Sequence, residues 1–576
     1  MAATLPRRID TAKPERDRTR DEKSDEQKLL GYLDELQQEG ERARERWAPK
    51  AERERDIKLY RGQVGPKSGE AFFKANIVQT FVDRMVQQLT DNRPILRVES
   101  RKIGLKAVAL TLQKAADAVW EESRMQRQTF KMAHQAAITR SAGLYTGFDP
   151  GTDEIVLEVV KGSQVIFDPA VEEAALLNRA EYLAVDRIRP CSELVYKFPG
   201  RGGFVKPDAN VTLDPATQSR RTVLSPLTDI VNGRVDAGDT LGRAHVWEWH
   251  LIDRQRSPDG KALFPNGRQI FRTKDMILWD GPKHYWDAEH PIDWFDWIVD
   301  PEHPWGLSAP NLLMELQLAF NQLGAGLVEN QILSNFLTVI ADHDSLDPLT
   351  WKKLQAITSS IILRKRSRNA MAPTITPPQA FGQDKIALLR WIFTIAQLLT
   401  GVTDVTLGET PGSLQSGQAI EGLVEGANLG TRSRASRMED FFGRVGQKLL
   451  ARIFQFWPSE KVISLVGPSA DAMEYVIKRS EFFVGDDGKP LADTERVQAL
   501  KWHRFLIQPG SSMAGTRLKR GQLMKDLVLL GASSREELLA EAGFQNPKEM
   551  LDRAKKEFLE FSAAGFVPPA AAKTGK

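Results

Sequence analysis

One cysteine, Cys191, serves the whole chain of 576 residues. That count excludes an internal disulfide framework and a cysteine-rich zinc site. Cys191 itself reads as a small, partly buried residue. Long apolar runs are missing as well: no window approaches the ~20 apolar residues that cross a bilayer, so no stable membrane association is expected. Residues 1–45 are rich in Arg, Asp and Glu and lack the apolar stretch of a signal peptide. Charge of one sign is also scarce. The net charge is only +3, so any contact with a polyanion must be local.

Catalytic signatures are absent too. The nearest approach to a phosphate loop, Gly65-Pro66-Lys67-Ser68-Gly69, lacks the spacing and the leading strand. There is no Gly-x-Ser-x-Gly elbow and no His-Glu-x-x-His pair. Asp342-His343-Asp344 with Asp347 is the most metal-like cluster. It lacks the glycine and terminal glutamate of a calcium loop, so a solvated turn is the plainer reading. His284, His290 and His303 stand among Asp280, Asp287, Glu289 and Asp293, at spacings that demand no metal. The expectation is a protein that is not an enzyme and holds no metal or cofactor.

What is present is length and pattern. The chain is long enough for several domains and a sizeable core. Residues 1–24 mix charges of both signs and read as a disordered arm. Helical spacing follows to Tyr60, with Pro49 interrupting or opening a helix. A helix is predicted over Ile77–Thr90, from Ile77, Phe81, Met85 and Leu89 on one face. A short strand, Ile95–Val98, and helices over 103–122 and 125–142 come next. The period then drops to two, at Ile155–Val160, Gln164–Phe167 and Tyr182–Ile188. A short helix over Ser192–Phe198 takes Ser192 as its cap. Residues 199–242 read as an exposed excursion. A meander follows over Ala244–Asp253, Arg268–Arg272 and Met276–Trp279.

Residues 279–305 hold Trp279, Trp286, Trp294, Trp297 and Trp305 among prolines. A core patch is the plainer reading; an inter-subunit or stacking surface is the sharper one. Beyond them, helices are predicted from Gly306 to about Asn335 and over Gln383–Thr400. The first, Leu307–Asn335, is about 43 Å long. It has too many apolar positions for one partner and carries Gln317, Asn321 and Asn330 besides, which suits a barrel wall with neighbours on two sides. Gly324 and Gly326 each cost about 1 kcal/mol in a helix, and make sense if another backbone approaches or the helix bends. Helix resumes from Ser416 to about Trp457. Strands are predicted at Ile463–Val466 and Glu474–Ile477, and helices through 491–562, beginning with Leu491–Leu506.

Three basic clusters stand out: Arg364, Lys365, Arg366 and Arg368; Arg432, Arg434 and Arg437; Arg517, Lys519 and Arg520. Each suits phosphate, and each also suits a plain solvated face. The loop after Thr400 carries Thr403, Asp404, Gly408, Glu409, Pro411, Gly412 and Ser413, with no Lys or Arg between Val402 and Gln415.

The order of these pieces resembles the portal proteins of tailed double-stranded-DNA bacteriophages, nearest to the large portals of short-tailed phages. The resemblance rests on Tyr60-Arg61-Gly62, Ala75-Asn76-Ile77-Val78, Asn92-Arg93-Pro94 and Ile166-Phe167-Asp168-Pro169. It continues through Gly306-Leu307-Ser308, Ser416-Gly417-Gln418-Ala419-Ile420, Gly515-Thr516-Arg517, Leu530-Gly531 and Asn546-Pro547. It implies an α+β, mainly helical subunit that joins a ring, a homo-oligomer of twelve, at one capsid vertex of the virion after assembly in the host cytoplasm. A wing over 25–305 would return over 416–489. Stem helices over 306–335 and 380–401 would flank a clip over 336–379. A tunnel loop over 402–415, a helical crown over 490–562 and a flexible tail over 563–576 would complete it.

The implied partners are double-stranded DNA in the channel, terminase, a head-completion or tail adaptor, and the major capsid and scaffolding proteins. Asp342, Asp344, Trp351, Lys352 and Lys353 would face terminase or adaptor. Readings of another class are a packaging nuclease or ATPase, and a head scaffold or adaptor without a channel.

Overall fold

The computed structural model describes residues 8–11, 18–64, 73, 75–91, 93–208, 242–256, 259–334, 338–342, 349, 352–353, 360–364, 374–376, 383–402, 429–466, 472–485, 489–508, 525–530, 534–535, 538–539 and 550–556. It is a mixed helix-and-strand protein, as expected. None of its described helices is long and apolar enough to cross a membrane.

The N-terminal part is more ordered than its charge pattern suggests. Helix α1 (Arg20–Trp47) begins inside the stretch expected to be a disordered arm. Thr19 accepts from the Glu22 amide while the Glu22 carboxylate receives the Thr19 amide, a reciprocal cap that satisfies orphan donors of the first turn. Glu26 is buried and takes Arg18, Arg201 and the Ile277 amide. Ile9, buried against the same cluster as Leu29, Leu33 and Trp249, donates its amide to Asp280 at 2.7 Å. Pro49 caps α2 (Lys50–Tyr60).

Helix α3 spans Ile77–Thr90, as its periodicity predicts, with Asn76 accepting from the Gln79 amide. Strand β1 (Leu96–Ser100), α4 (Lys106–Glu122) and α5 (Met125–Thr139) follow. The helix predicted to Ala142 stops at Thr139, because Arg140 takes φ +80° and turns the chain into β2 (Ser141–Asp149). Strand β3 (Glu154–Lys161) pairs antiparallel with β2. Strands β4 (Val165–Phe167) and β5 (Tyr182–Pro190) come next. Helix α6 (Cys191–Lys197) starts one residue earlier than expected, after Pro190 and with no side-chain cap, so Ser192 is not its cap.

Strands β6 (Arg243–Leu251), β7 (Arg268–Arg272) and β8 (Ile277–Pro282) complete an antiparallel five-stranded sheet in the order β4-β5-β6-β7-β8. The excursion leaves and returns at one point. Asp208 donates its amide to the Arg243 carbonyl at 2.9 Å and accepts the His245 amide at 2.8 Å; residues 209–241 lie outside the described residues. Loop closure depends only weakly on length. Replacing 209–241 by a short Gly/Ser linker is therefore expected to change the loop-closure contribution to stability by only about 1 kcal/mol. Urea unfolding checks this.

A strand the sequence reading missed, β9 (Ile292–Asp296), pairs with β2 to give the sheet order β3-β2-β9. It lies inside the tryptophan-rich segment. Trp294, Trp297 and Trp305 are buried there, with Trp294 donating to the Pro304 carbonyl and stacking edge-on to Trp305. The core reading of that patch holds for these three.

Two long helices, α7 (Ala309–Ser334) and α8 (Gln383–Thr400), flank a small sheet of β10 (Thr338–Asp342), β11 (Ser360–Arg364) and β12 (Thr374–Thr376). In it β10 runs parallel to β11 and antiparallel to β12. Helix α9 (Leu429–Phe456) then crosses back, followed by the hairpin β13 (Glu460–Val466) and β14 (Ala472–Lys478). The helix predicted over Leu491–Leu506 is only α10 (Asp493–Ala499); its end is a strand, β15 (His503–Ile507), paired with β1. The burial of His503, Phe505 and Ile507, alternating with exposed Arg504, is the two-residue period of a half-buried strand. Residues 490–507 thus share the body built on β1, and the crown expected from 490 has no boundary there.

The main core lies between α3, α4, α5 and α9 and the three-stranded sheet, with Phe81, Leu112, Met132, Phe295, Phe441 and Phe454 fully or almost fully buried. Two smaller clusters join the sheets to each other and seat α1 on the five-stranded sheet.

Candidate functional site: a two-helix strut and its mounting

The chain reaches α7 through one backbone position that demands glycine. Gly306 has φ +62°, and a Cβ there would lie 2.5 Å from the Ile298 carbonyl oxygen. The next amide, Leu307, donates to that same carbonyl at 2.9 Å. Ser308 then does two jobs. Its hydroxyl accepts the Asn311 amide at 3.1 Å, as a helix cap does, and donates to Asp56 at 2.6 Å. Asp56 is fully buried and is held from its other oxygen by Arg55, which also reaches Asn311 at 2.8 Å. These contacts fix the start of α7 to α2.

Two turns further on, buried Gln317 ties α7 to α3. Its carbonyl oxygen accepts the Ile77 and Val78 amides at 3.0 and 3.2 Å. Its amide nitrogen donates to the Ala75 carbonyl and to Asn321, both at 2.8 Å. A side-chain amide has two donors and two acceptor sites; all are used, and two orphan amides at the α3 N-terminus are satisfied. Beyond it, the Phe73 ring fills the notch at Gly324, where a Cβ would lie 2.0 Å away, and packs on Phe320. The close approach expected at Gly324 is thus made by a side chain. Gly326 has open space around it.

Helix α8 turns Ile392, Ala396 and Thr400 inward, at helical spacing, with Phe393 against Phe81. Thr400 donates back to the Ala396 carbonyl, and Gly401, at φ +73°, closes the helix. Apolar side chains beside and opposite this stripe are uncovered, with Trp391 and Leu398 facing away from it and Leu388 and Leu399 at its margins. Leu388, Trp391, Leu398 and Leu399 are exposed, Trp391 by 60% and Leu398 by 82%. Leu312 and Leu318 add to this on α7. Charged side chains on the strut are few: Glu315 and Glu329 on α7, Asp384, Lys385 and Arg390 on α8.

Of the residues singled out in the sequence, Thr403, Asp404, Gly408, Glu409, Pro411, Gly412 and Ser413 lie outside the described residues, as do Asp344, Trp351, Lys365, Arg366 and Arg368. The cluster at Arg517, Lys519 and Arg520 does too. Asp342 and Arg364 end β10 and β11 as partners in register. Lys352 and Lys353 are exposed. Arg432 is exposed at the start of α9. Arg434 lies over the Trp297 ring, and burial pulls its pKa down. Arg437 donates to the Asp296 carbonyl and carboxylate at 3.0 and 3.2 Å and to the Trp297 carbonyl at 3.0 Å. Its guanidinium fastens α9 to β9.

That contact opens a docking seam the sequence reading did not find. Lys448 donates to the Ile292 carbonyl at 3.0 Å and to Asp293 at 2.9 Å. Arg452 reaches Asp287 at 2.8 Å and lies over the Tyr285 ring at 3.5 Å. Gln455 takes the Trp286 amide at 3.1 Å. The signal was present, since Arg437, Arg444, Lys448 and Arg452 recur at helical spacing opposite Asp287, Asp293 and Asp296. Burial beside these cations pushes the Lys283 ammonium down to about 7. His290 donates through Nε2 to the Ala180 carbonyl at 2.9 Å, and burial holds its pKa well below the usual value. Among the described residues no three His, Cys, Asp or Glu side chains are arranged to hold a metal.

The fold and this strut define a mixed helix-and-strand protein in which α7 and α8 leave apolar side chains uncovered. Residues 332–571 match the family model of the phage P22-like portal protein. That match, over somewhat less than half of the chain, supports a tailed-phage portal protein. No curated protein matches the sequence.

Proposed function

We propose that this chain is the subunit of a ring-shaped portal at one capsid vertex, through which double-stranded DNA is packaged and later ejected, with no catalytic step of its own. The observation that carries the reading is the uncovered apolar face of α8 and α7 within a chain that matches the portal family model. Exposed apolar surface of this kind is a site of association. A head-to-tail copy placing its strut against this face, repeated about an axis, closes a ring. The proposal extends to about twelve copies and to a tunnel loop at residues 402–415. Its neutral-to-acidic composition lets DNA slide past. Clip residues Asp342, Asp344, Trp351, Lys352 and Lys353 face terminase or the tail adaptor, and Arg364 with Lys365, Arg366, Arg368 and Arg432 meets phosphate. Capsid and scaffolding proteins surround the ring, which is built in the host cytoplasm.

Negative-stain electron microscopy of purified protein tests this. Rings of about twelve subunits with an axial hole wide enough for duplex DNA are expected. Trp391→Glu with Leu398→Glu places charges on the proposed contact and is expected to abolish rings while leaving the subunit's circular dichroism unchanged. Rings that survive the double substitution would put the contact elsewhere. Closed oligomers without a hole would end the conduit reading.

A further inference from the structure

Pairing of β1 with β15 brings together two basic segments about four hundred residues apart in the chain. Glu99 stands opposite Arg504 and Arg97 opposite Leu506 on the outer face, while Leu96, Val98, Phe505 and Ile507 point into the core. At the end of the ladder the Arg101 amide donates to the Trp502 carbonyl at 2.7 Å, and the Lys102 ammonium lies 3.6 Å from the centre of the Trp502 ring. Helix α4 opens beside them at Lys106, with no capping side chain and no acid in its first turn.

Arg97, Arg101, Lys106, Lys501 and Arg504 are all exposed. None of these five makes an ion pair or side-chain hydrogen bond among the described residues, and the one carboxylate on the strand face is Glu99. The net charge of the whole chain is only +3, so this patch is a local excess. Elsewhere arginines are spent on carboxylates and carbonyls, as Arg268 is on Asp253 and Asp280.

We propose that this surface binds the phosphate backbone of duplex DNA outside any channel. A strand places alternate side chains about 6.6 Å apart, so Arg97 to Arg101 spans about 13 Å of exposed edge. Duplex DNA presents a charge every ~1.7 Å along its axis. Five exposed cations with a single carboxylate, Glu99, among them on a pinned, two-stranded face meet several phosphates at once. It reads no sequence, because nothing in it is shaped to enter a groove and contact base edges.

The test uses the full chain and a fluorescent duplex minicircle, which has no end to thread through a ring. Anisotropy is followed across a salt series. Wild-type protein is expected to bind with a steep salt dependence. Changing Arg97, Arg101, Lys106, Lys501 and Arg504 together to Gln is expected to weaken binding at least 100-fold at low salt and to reduce the log–log slope by about 4.5. Arg97→Gln with Arg504→Gln alone, a milder change on two exposed side chains, is expected to reduce it by about 2. An unchanged slope in either variant overturns the proposal. So does competition by polyglutamate as effective as that by duplex at equal charge, which would assign the face to an acidic protein. Ring formation, scored separately, is expected to be unchanged, so failure here and failure of the conduit reading are distinguishable.

Discussion

Lys448→Met is expected to destabilise the folded chain by about 3–5 kcal/mol, the cost of leaving a buried charge without its partner. Lys448 is fully buried and Asp293 is 2% exposed. Their contact at 2.9 Å is the strongest one Asp293 has, since Arg444 stands 3.9 Å away, beyond hydrogen-bond reach. Methionine fills the space of the lysine stem but supplies no donor. Asp293 then keeps its desolvation cost and the Ile292 carbonyl loses its donor too. The urea midpoint, read by tryptophan fluorescence, measures the loss. Adding Asp293→Leu to Lys448→Met is expected to recover most of it, because the unpaired charge is gone. A single variant as stable as the parent would mean that water reaches Asp293, and the seam would then be a solvated face.

Gly306→Ala is expected to cost about 2–4 kcal/mol, from a left-handed backbone position imposed on a residue with a Cβ, and from displacement of the Ile298 carbonyl. The collision is with backbone, 2.5 Å from the built Cβ, so no side chain can swing away to relieve it. The strain falls where Leu307 and Ser308 set the entry of α7. Unfolding midpoint and yield of rings are expected to fall together. A loss of stability with normal rings would show that the entry relaxes without tilting the helix.

The strut was largely legible in the sequence. Its two helices end within a residue or two of the predicted limits, because long apolar periodicity bounded by Gly306 at one end and Gly401 at the other admits one local answer. Strand β9 was not legible. Ile292-Asp293-Trp294-Phe295-Asp296 sits among prolines that suggest a loop, and both faces of the strand are buried, so no alternation shows. Its aspartates are tolerated only because α9, far along the chain, delivers Lys448 and Arg437 to them. Strand β15 was hidden in another way: α10 leads straight toward it, and only pairing with β1 decides where helix gives way to extended chain. The apolar outer face of α8 was readable as periodicity but not as exposure. Which side of a helix has no partner is a property of the packed molecule.

The Gln317 amide has a mechanical consequence. The first turns of α7 are bolted at Asp56 and again at Ala75, Ile77 and Val78. The last ten residues, from Ala325 to Ser334, extend about 15 Å past the Phe73 wedge at Gly324. The helix is therefore a lever with its longer arm clamped and its fulcrum at an aromatic ring. A sideways push on the far end is delivered as torque to α3 and to the core beneath it, not absorbed at a loose joint.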